Sequence, residues 1–176
     1  MKKIVMALIV VCMAGSVFQI AVRDAGAFQA EHKELILSGN GSSDQSFDGT
    51  VFSASGSFGY FLTDNFEALI RQDISYSEVA SGDDLWNGGT RLGIDYHFNI
   101  EALYPFIGAN LGYLYGDTVE EQFVAGPQVG VKYFVNATTF ILGMVEYEFF
   151  FQDTNKASDN FDNGRFVYNV GIGFIW

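Results

Sequence analysis

Apolar and polar residues alternate with a period of two along most of the chain after residue 31. Clusters of Gly, Asn, Asp and Ser interrupt this alternation at intervals, which is typical of β-strands joined by turns. The pattern predicts eight strands, at 32–41, 50–62, 66–77, 87–98, 104–116, 122–135, 139–152 and 164–176. Strands of soluble proteins usually have about 5–6 residues, whereas a tilted strand that crosses a membrane needs about 9–11. The length of the predicted strands therefore favours a membrane protein.

Each predicted strand has one apolar face and one face that mixes Gly, Ser and charged residues. The last strand illustrates this pattern. One of its faces carries Phe166, Tyr168, Val170, Ile172, Phe174 and Trp176, and the other carries Arg165, Asn169, Gly171 and Gly173. A soluble barrel that carries a ligand would turn the apolar face inward, whereas a membrane barrel turns it outward against lipid.

The aromatic residues of the apolar faces cluster at the two ends of the strands. One end carries Tyr60, Phe66, Tyr96, Phe98, Tyr133 and Trp176. The other carries Phe52, Tyr76, Trp86, Tyr113, Tyr115, Phe123, Phe149, Phe166 and Tyr168. Two aromatic belts at headgroup depth are typical of membrane barrels. A soluble core has no reason to sort its aromatic residues by height, so the distribution favours the membrane barrel.

The connections between the predicted strands alternate in length. Those at 63–65, 99–103 and 136–138 are short, and those at 41–49, 78–86, 117–121 and 153–163 are mostly longer. Short periplasmic turns and longer external loops are the usual asymmetry of outer-membrane barrels. With an even number of strands, both chain ends lie on the short-turn side. The sequence thus predicts an all-β fold, an eight-stranded antiparallel up-and-down transmembrane β-barrel.

Charged residues lie deep within the polar faces and predict a charge network in the lumen. Its expected members are Glu34, Glu67, Arg71, Asp73, Arg91, Asp95, His97, Lys132, Glu146, Glu148 and Arg165. A cationic residue facing lipid at the midplane of such a barrel costs about 2–4 kcal/mol. Facing inward, these residues can pair across the lumen, which in an eight-stranded barrel is filled by side chains.

A few residues depart from the alternation. Gln72 falls on the lipid face, whereas Leu69 and Leu114 fall on the inner face. Pro127 lies inside a predicted strand, where it removes a hydrogen-bond donor from the ladder. A β-bulge near Gln72 or near Gly126–Pro127 would account for these departures.

The first 27 residues predict a signal peptide rather than part of the barrel. Lys2 and Lys3 precede an apolar run that extends to about Val22, and Ala25-Gly26-Ala27 offers the small residues of a cleavage site. We expect cleavage between Ala27 and Phe28, which leaves a barrel domain at 28–176. An uncleaved membrane anchor is the alternative, because the run approaches the length of a spanning helix.

Cleavage changes the charge and the cysteine content. The full chain has 9 basic and 21 acidic residues, and residues 28–176 keep 6 and 20 of them, a net charge of −14. Nucleic acid is therefore excluded as an expected partner, because binding phosphates requires a basic face. The one cysteine, Cys12, leaves with the signal peptide, so no disulfide is expected.

Three segments resemble small bacterial outer-membrane β-barrel proteins, the broad family that includes the membrane domains of outer membrane proteins A and X. They are the hairpin GYFLTDNFE at 59–67, the strand PFIGANLGY at 105–113 and the closing strand YNVGIGFIW at 168–176. The closing strand is similar to the C-terminal assembly signal of these proteins, carried here by Tyr168, Val170, Ile172, Phe174 and Trp176. The terminal aromatic residue of that signal is usually Phe.

This resemblance implies a protein of the outer membrane that is inserted by the barrel-assembly machinery and contacts membrane lipid and lipopolysaccharide. It does not identify what the barrel does, because one fold supports several functions. We expect a monomer with a structural or surface-interaction role and a polar, plugged lumen. A narrow channel for small solutes or ions is the alternative, since small lumen residues such as Ser53, Ser55, Ser57 and Gly59 could leave gaps.

An outer-membrane lipid-modifying enzyme is the third hypothesis, and the residues give it little support. A serine hydrolase needs a histidine within reach of a serine and an acid. Residues 28–176 contain only His32 and His97, and strand parity predicts that His97 is a hydrogen-bonding residue of the lumen. The acidic loop residues could bind Ca²⁺ or Mg²⁺, but a solvated, self-repelling surface fits them better. We therefore predict no catalytic residue, metal site or cofactor.

Overall fold

The computed structural model describes residues 28–43, 50–78, 84–119, 121–151 and 164–176. The predicted signal peptide, including Ala27, and most of the predicted longer loops lie outside these residues. Eight strands form: β1 (Lys33–Ser43), β2 (Thr50–Phe61), β3 (Phe66–Ser77), β4 (Leu85–His97), β5 (Leu103–Gly116), β6 (Gln122–Phe134), β7 (Thr139–Phe151) and β8 (Arg165–Ile175). The described residues contain no helix of sufficient length and apolarity to cross a membrane.

The eight strands form one closed barrel in chain order, in which every strand pairs antiparallel with its neighbours and β8 pairs with β1. The predicted eight-stranded antiparallel barrel is therefore confirmed. The strand boundaries differ from the predicted ones by at most two residues. Parity then decides the face of each side chain, because successive residues of a strand point to opposite sides of the sheet.

Tight turns join the strands at one end of the barrel, here called the short-turn end. Leu62 donates its backbone N–H to the Phe66 carbonyl at 2.8 Å, and Val135 donates to the Thr139 carbonyl at 2.9 Å. Both chain ends of the barrel lie here, because Lys33 and Trp176 exchange backbone hydrogen bonds of 3.0 and 3.1 Å. The opposite end, from which the longer connections leave, is called the loop end.

The outer surface of the barrel is apolar. Leu92, Ile107, Leu111, Val129 and Val170 are all exposed. A soluble monomer rarely exposes a contiguous apolar patch of more than a few hundred Å². The surface therefore faces lipid. Exposed aromatic residues lie toward both ends of this band, as the sequence predicts. Those near the short-turn end are Tyr60, Tyr96, Phe98 and Trp176, and those near the loop end are Phe52, Trp86, Tyr115, Phe123, Phe166 and Tyr168.

The predicted bulge near Gln72 is wrong. The register of β3 is unbroken against both β2 and β4. The Gln72 amide instead makes cross-strand hydrogen bonds: its Nε2 donates to the Tyr115 hydroxyl at 2.9 Å, and its Oε1 accepts from the Thr90 hydroxyl at 2.7 Å. These bonds allow a polar side chain to remain on the outer face without displacing the strand.

The predicted bulge near Gly126–Pro127 is also wrong. The β6–β7 ladder is interrupted between the pairs Ala125–Phe149 and Gln128–Glu146 and resumes in the same register, so no residue is inserted. Gly126 allows the two strands to approach closely here, because a Cβ at this position would lie 1.7 Å from the Tyr147 carbonyl oxygen. Pro127 is accommodated by two missing ladder pairs instead of by a change of register.

Candidate functional site

The inner faces of the strands bring polar and charged side chains together in the lumen, which is the candidate functional site. Of the eleven charged or titratable residues that the sequence predicts there, nine are buried: Glu34, Glu67, Arg71, Arg91, Asp95, His97, Lys132, Glu146 and Glu148. Asp73 and Arg165 lie closer to the loop end, with 30% and 50% of their side chains exposed. The buried groups form two charge clusters at different heights.

The cluster nearer the short-turn end, here called the lower cluster, joins Lys132 of β6 to Glu34 of β1 and Glu67 of β3. Lys132 Nζ donates to the two carboxylate oxygens of Glu34 at 2.8 and 2.7 Å and to Glu67 Oε2 at 2.8 Å. At most 1% of each of these side chains is exposed. A charge buried this deeply is stable only when it is paired and hydrogen-bonded. These three residues therefore tie three strands together across the lumen.

The cluster nearer the loop end, here called the upper cluster, contains three arginines and three carboxylates. Arg71 pairs with Glu146, and Arg91 pairs with both Asp73 and Glu148. Arg165 Nε lies 2.6 Å from Glu148 Oε2. The six formal charges cancel, so this part of the lumen is strongly polar and carries no net charge.

An amide pair outside the predicted charge network links Asp95 to the lumen wall. Gln128 Nε2 donates to Asp95 Oδ1 at 2.5 Å, and Asn110 Nδ2 donates to Gln128 Oε1 at 3.0 Å. Both amides are buried. The period-two alternation of their strands places both amides on the inner face. The same pattern, applied to uncharged polar residues, therefore predicts their place in the lumen.

Glycines on the inner faces make room for the large lumen side chains. A Cβ at Gly59 would lie 1.7 Å from Glu67 Oε1, and one at Gly108 would lie 1.8 Å from Asp95 Oδ1. One at Gly173 would lie 2.0 Å from the ring of Phe140. Pairing a small residue with a large one is how a narrow barrel fills its interior. This explains why the inner faces mix glycine with charged residues.

His97 lies in the lumen, but the prediction that it is a hydrogen-bonding residue is wrong. Neither of its ring nitrogens has a hydrogen-bond partner among the described residues. The ring packs instead against aromatic neighbours, with centroids 5.0 Å from Phe28 and 5.3 Å from both Phe61 and Phe106. Its Nε2 lies 3.5 Å from Glu67 Oε2. The ring is completely buried.

Below the lower cluster, six aromatic side chains fill the short-turn end of the lumen. This aromatic plug consists of Phe28, Phe61, Tyr104, Phe106, Phe134 and Phe140, all of which are buried. The rings of Phe28 and Phe61 stack at 4.2 Å, and Tyr104 meets Phe28 edge-on at 4.7 Å. The Lys132 ammonium lies 5.2 Å from the Phe28 ring centroid, within the range of a cation–π contact.

Phe28 reaches the lumen because the chain turns back beneath the barrel. Glu31 has a φ of 73°, in the left-handed region, and donates its N–H to the Phe61 carbonyl at 2.8 Å. Ala30 donates its N–H to Asp64 Oδ1 at 2.9 Å. With these contacts, Phe28 is only 3% exposed and lies at the centre of the plug. From the sequence, Phe28 is predicted only to be the residue after the cleavage site.

Two cavities lie above the plug. The larger, here called the vestibule, has a volume of about 490 Å³ and is lined by residues that include Ser38, Ser55, Arg71, Asp73, Arg91 and Arg165. The smaller has a volume of about 30 Å³ and lies between Arg71 and the level of Lys132 and Phe106, which gives room for about one or two water molecules. Arg71, which pairs with Glu146, lines both cavities.

The described residues include no group of three or more His, Cys, Asp or Glu side chains that could hold a metal ion. The loop-end residues Glu78, Asp84, Asp117 and Glu121 are exposed. The other acidic residues considered as cation ligands, among them Asp44, Asp48, Asp153, Asp159 and Asp162, lie outside the described residues.

Solved structures of bacterial outer-membrane barrels are similar to this barrel. The N-terminal β-barrel domain of Pseudomonas aeruginosa OprF is 18% identical, with a TM-score of 0.59, and the match covers 84% of this chain and 98% of that one. The outer membrane protein OprG from Pseudomonas aeruginosa is 12% identical, with a TM-score of 0.58 and coverages of 87% and 99%. No protein-family model and no curated protein matches the chain. The chain therefore has the fold of small bacterial outer-membrane β-barrels.

Proposed function

We propose that this protein is a closed barrel of the outer membrane with a structural or surface-interaction role, and that it provides no continuous pore. The observation that carries this proposal is the filling of the lumen at the short-turn end. The aromatic plug forms one buried cluster there, and the Lys132 ammonium of the Glu34–Lys132–Glu67 cluster lies against its rings. A solute would have to displace both packed rings and paired charges to pass.

The orientation follows from the asymmetry of the connections. Short turns are periplasmic in outer-membrane barrels, and longer loops are external. The plug then closes the periplasmic end, and the vestibule opens toward the cell surface. The exposed carboxylates of Glu78, Asp84, Asp117 and Glu121 give the external end an acidic surface. Divalent cations could link such a surface to the phosphates of lipopolysaccharide.

We propose that assembly depends on β8 and the barrel-assembly machinery. Phe166, Tyr168, Val170, Ile172, Phe174 and Trp176 alternate along the outer face of this strand and are all exposed to the membrane side. That arrangement leaves an aromatic and aliphatic ridge accessible for recognition before the barrel inserts. We expect the inserted protein to be a monomer in contact with membrane lipid and lipopolysaccharide.

Liposome swelling tests the closed barrel. Purified protein reconstituted into liposomes should give no more swelling in arabinose or glycine than protein-free liposomes, at a protein density at which a known porin gives rapid swelling. Swelling in either solute would contradict the closed barrel.

A narrow channel is the second candidate, and the two cavities favour it. The vestibule and the smaller cavity meet at Arg71, so a path would need the Arg71–Glu146 pair, the Glu34–Lys132–Glu67 cluster and the plug to move. This candidate predicts swelling that increases when Glu146→Gln weakens the pair. An unchanged rate in the variant would count against it.

A further inference from the structure

Two acidic side chains face each other across the β3–β4 seam, inside the lumen. Glu67 of β3 lies opposite Asp95 of β4 in the register of the two strands. Glu67 is completely buried, and Asp95 is 2% exposed. Carboxylates directly opposite each other on neighbouring strands repel, and burial strengthens the repulsion, because the dielectric constant there is lower than that of water. This acid pair therefore needs a compensating positive charge.

Lys132 cannot compensate both acids at once. An ammonium group has three N–H donors. Lys132 Nζ uses them on the two carboxylate oxygens of Glu34 and on Glu67 Oε2. Asp95 could gain this cation only if Lys132 gave up a bond to one of the two glutamates.

The other charged groups around Asp95 offer it no cation either. The charged and titratable groups of the surrounding strands are Glu34 of β1, Glu67, Arg71 and Asp73 of β3, Arg91 and His97 of β4, Lys132 of β6, and Glu146 and Glu148 of β7. Both arginines pair with carboxylates of the upper cluster. His97 makes no hydrogen bond through either ring nitrogen among the described residues. The described inner faces of β2 and β5 carry no charged residue, and β5 places Gly108 opposite Asp95.

The immediate surroundings of Asp95 suit a neutral carboxylic acid. Gln128 Nε2 donates to Asp95 Oδ1 at 2.5 Å, which supplies a hydrogen bond and no charge. Asp95 also lines the smaller cavity of about 30 Å³, which has room for about one or two water molecules. A water molecule there could accept a hydrogen bond from the acidic O–H.

We propose that the Glu67–Asp95 pair binds one proton, carried by Asp95, and that its release with rising pH loosens the lower lumen. With the proton bound, Glu67 remains the carboxylate that Lys132 holds. Without it, two carboxylates face each other beside one cation, and that cation lies against the Phe28 ring of the plug. The barrel thus has a pH-sensitive element next to its closed end.

Equilibrium urea unfolding of the full protein at several pH values tests this proposal with Asp95→Asn. The amide keeps an oxygen that can accept from Gln128, and its N–H cannot be released as a proton. An exposed aspartate loses its proton near pH 4, so in the unfolded chain Asp95 is ionised at pH values at which the folded barrel still holds the proton. Stability should therefore fall as the pH rises in the wild type and not in the variant.

We expect the ratio of the folding equilibrium constants, wild type over Asp95→Asn, to fall about tenfold or more between about pH 5 and about pH 9. Glu148→Gln is the matched control, because it removes a buried carboxylate from the upper cluster. Its ratio to the wild type should stay constant over the same range. A constant ratio for Asp95→Asn, or one that rises with pH, would overturn the proposal.

Infrared difference spectra of the full protein in detergent micelles detect the proton without unfolding, at about pH 5 and about pH 9. We expect the wild type to show the carbonyl stretching band of a protonated carboxylic acid at the lower pH and to lose it at the higher pH. The band should persist in Glu148→Gln and be absent from folded Asp95→Asn. A wild-type spectrum without this band would overturn the proposal even if Asp95→Asn fails to fold, as would an unchanged band in the folded variant.

Discussion

Lys132 Nζ lies 2.7 Å from Glu34 Oε2, although the two residues are 98 positions apart and stand on strands that are not neighbours in the sheet. Glu67 completes this buried group from a third strand. Because one cation holds two buried carboxylates, the stability of the lumen depends strongly on this single lysine.

Replacing Lys132 by methionine should destabilise the barrel by about 3–5 kcal/mol, since it leaves two buried carboxylates without their cation. The urea concentration at which half of the heat-modifiable folded form is lost measures this effect. Lys33→Met removes an exposed lysine from the same barrel and should leave the midpoint unchanged. Equal midpoints for Lys132→Met and the wild type would refute the proposed role of the cluster.

Arg91→Leu should also destabilise the barrel, by about 3 kcal/mol or more, because Asp73 and Glu148 lose a shared partner in the lumen. Adding Glu148→Gln to this variant should recover part of the loss, since it removes one of the unpaired charges. Urea titration of the single and double variants measures both effects. An unchanged midpoint for Arg91→Leu would show that the pairs contribute nothing.

Loss of Phe28 should open the short-turn end most directly, because its ring lies at the centre of the plug. Phe28→Ala removes the ring that contacts Phe61, Tyr104 and Phe134. We expect liposome swelling in glycine to rise above the wild-type rate while the barrel stays folded. Phe98→Ala, which removes an exposed ring at the same end, should not change the rate. Equal swelling in both variants would exclude Phe28 as the closing residue.

Trp176→Ala, or deletion of Trp176, should reduce the amount of assembled barrel in the outer membrane, because this exposed ring ends the alternating face of β8. The ratio of heat-modifiable to unfolded protein in membrane fractions measures the effect. Trp86→Ala removes an exposed tryptophan from the loop end and should assemble normally. A normal folded fraction after the loss of Trp176 would contradict an assembly role.

Strand parity made much of this structure predictable. In β8 it places Val170 outward and Arg165 inward, and the structure agrees because a period of two leaves no other choice once one face meets lipid. The register between strands was harder to predict from the sequence. Gln72 needs no bulge because Thr90 of β4 and Tyr115 of β5 bind its amide, and those partners are known only when the strand alignment is known.

The aromatic plug was missed for two physical reasons. Phe61 and Phe134 sit at strand ends, where apolar residues occupy both faces and the alternation no longer distinguishes inside from outside. Phe28 precedes β1 and has no periodic pattern. Its position depends on the left-handed turn at Glu31 and on bonds to Phe61 and Asp64, contacts between residues far apart in the sequence.

Planar-bilayer recording of the purified full protein tests the closed lumen most directly. The protein concentration should be one at which labelled protein shows that many barrels have inserted. The wild type should then show no steady conductance steps in about 1 M KCl. Phe28→Ala should show them. Steady, uniform openings from the wild-type protein would contradict a barrel closed by its aromatic plug and charge clusters.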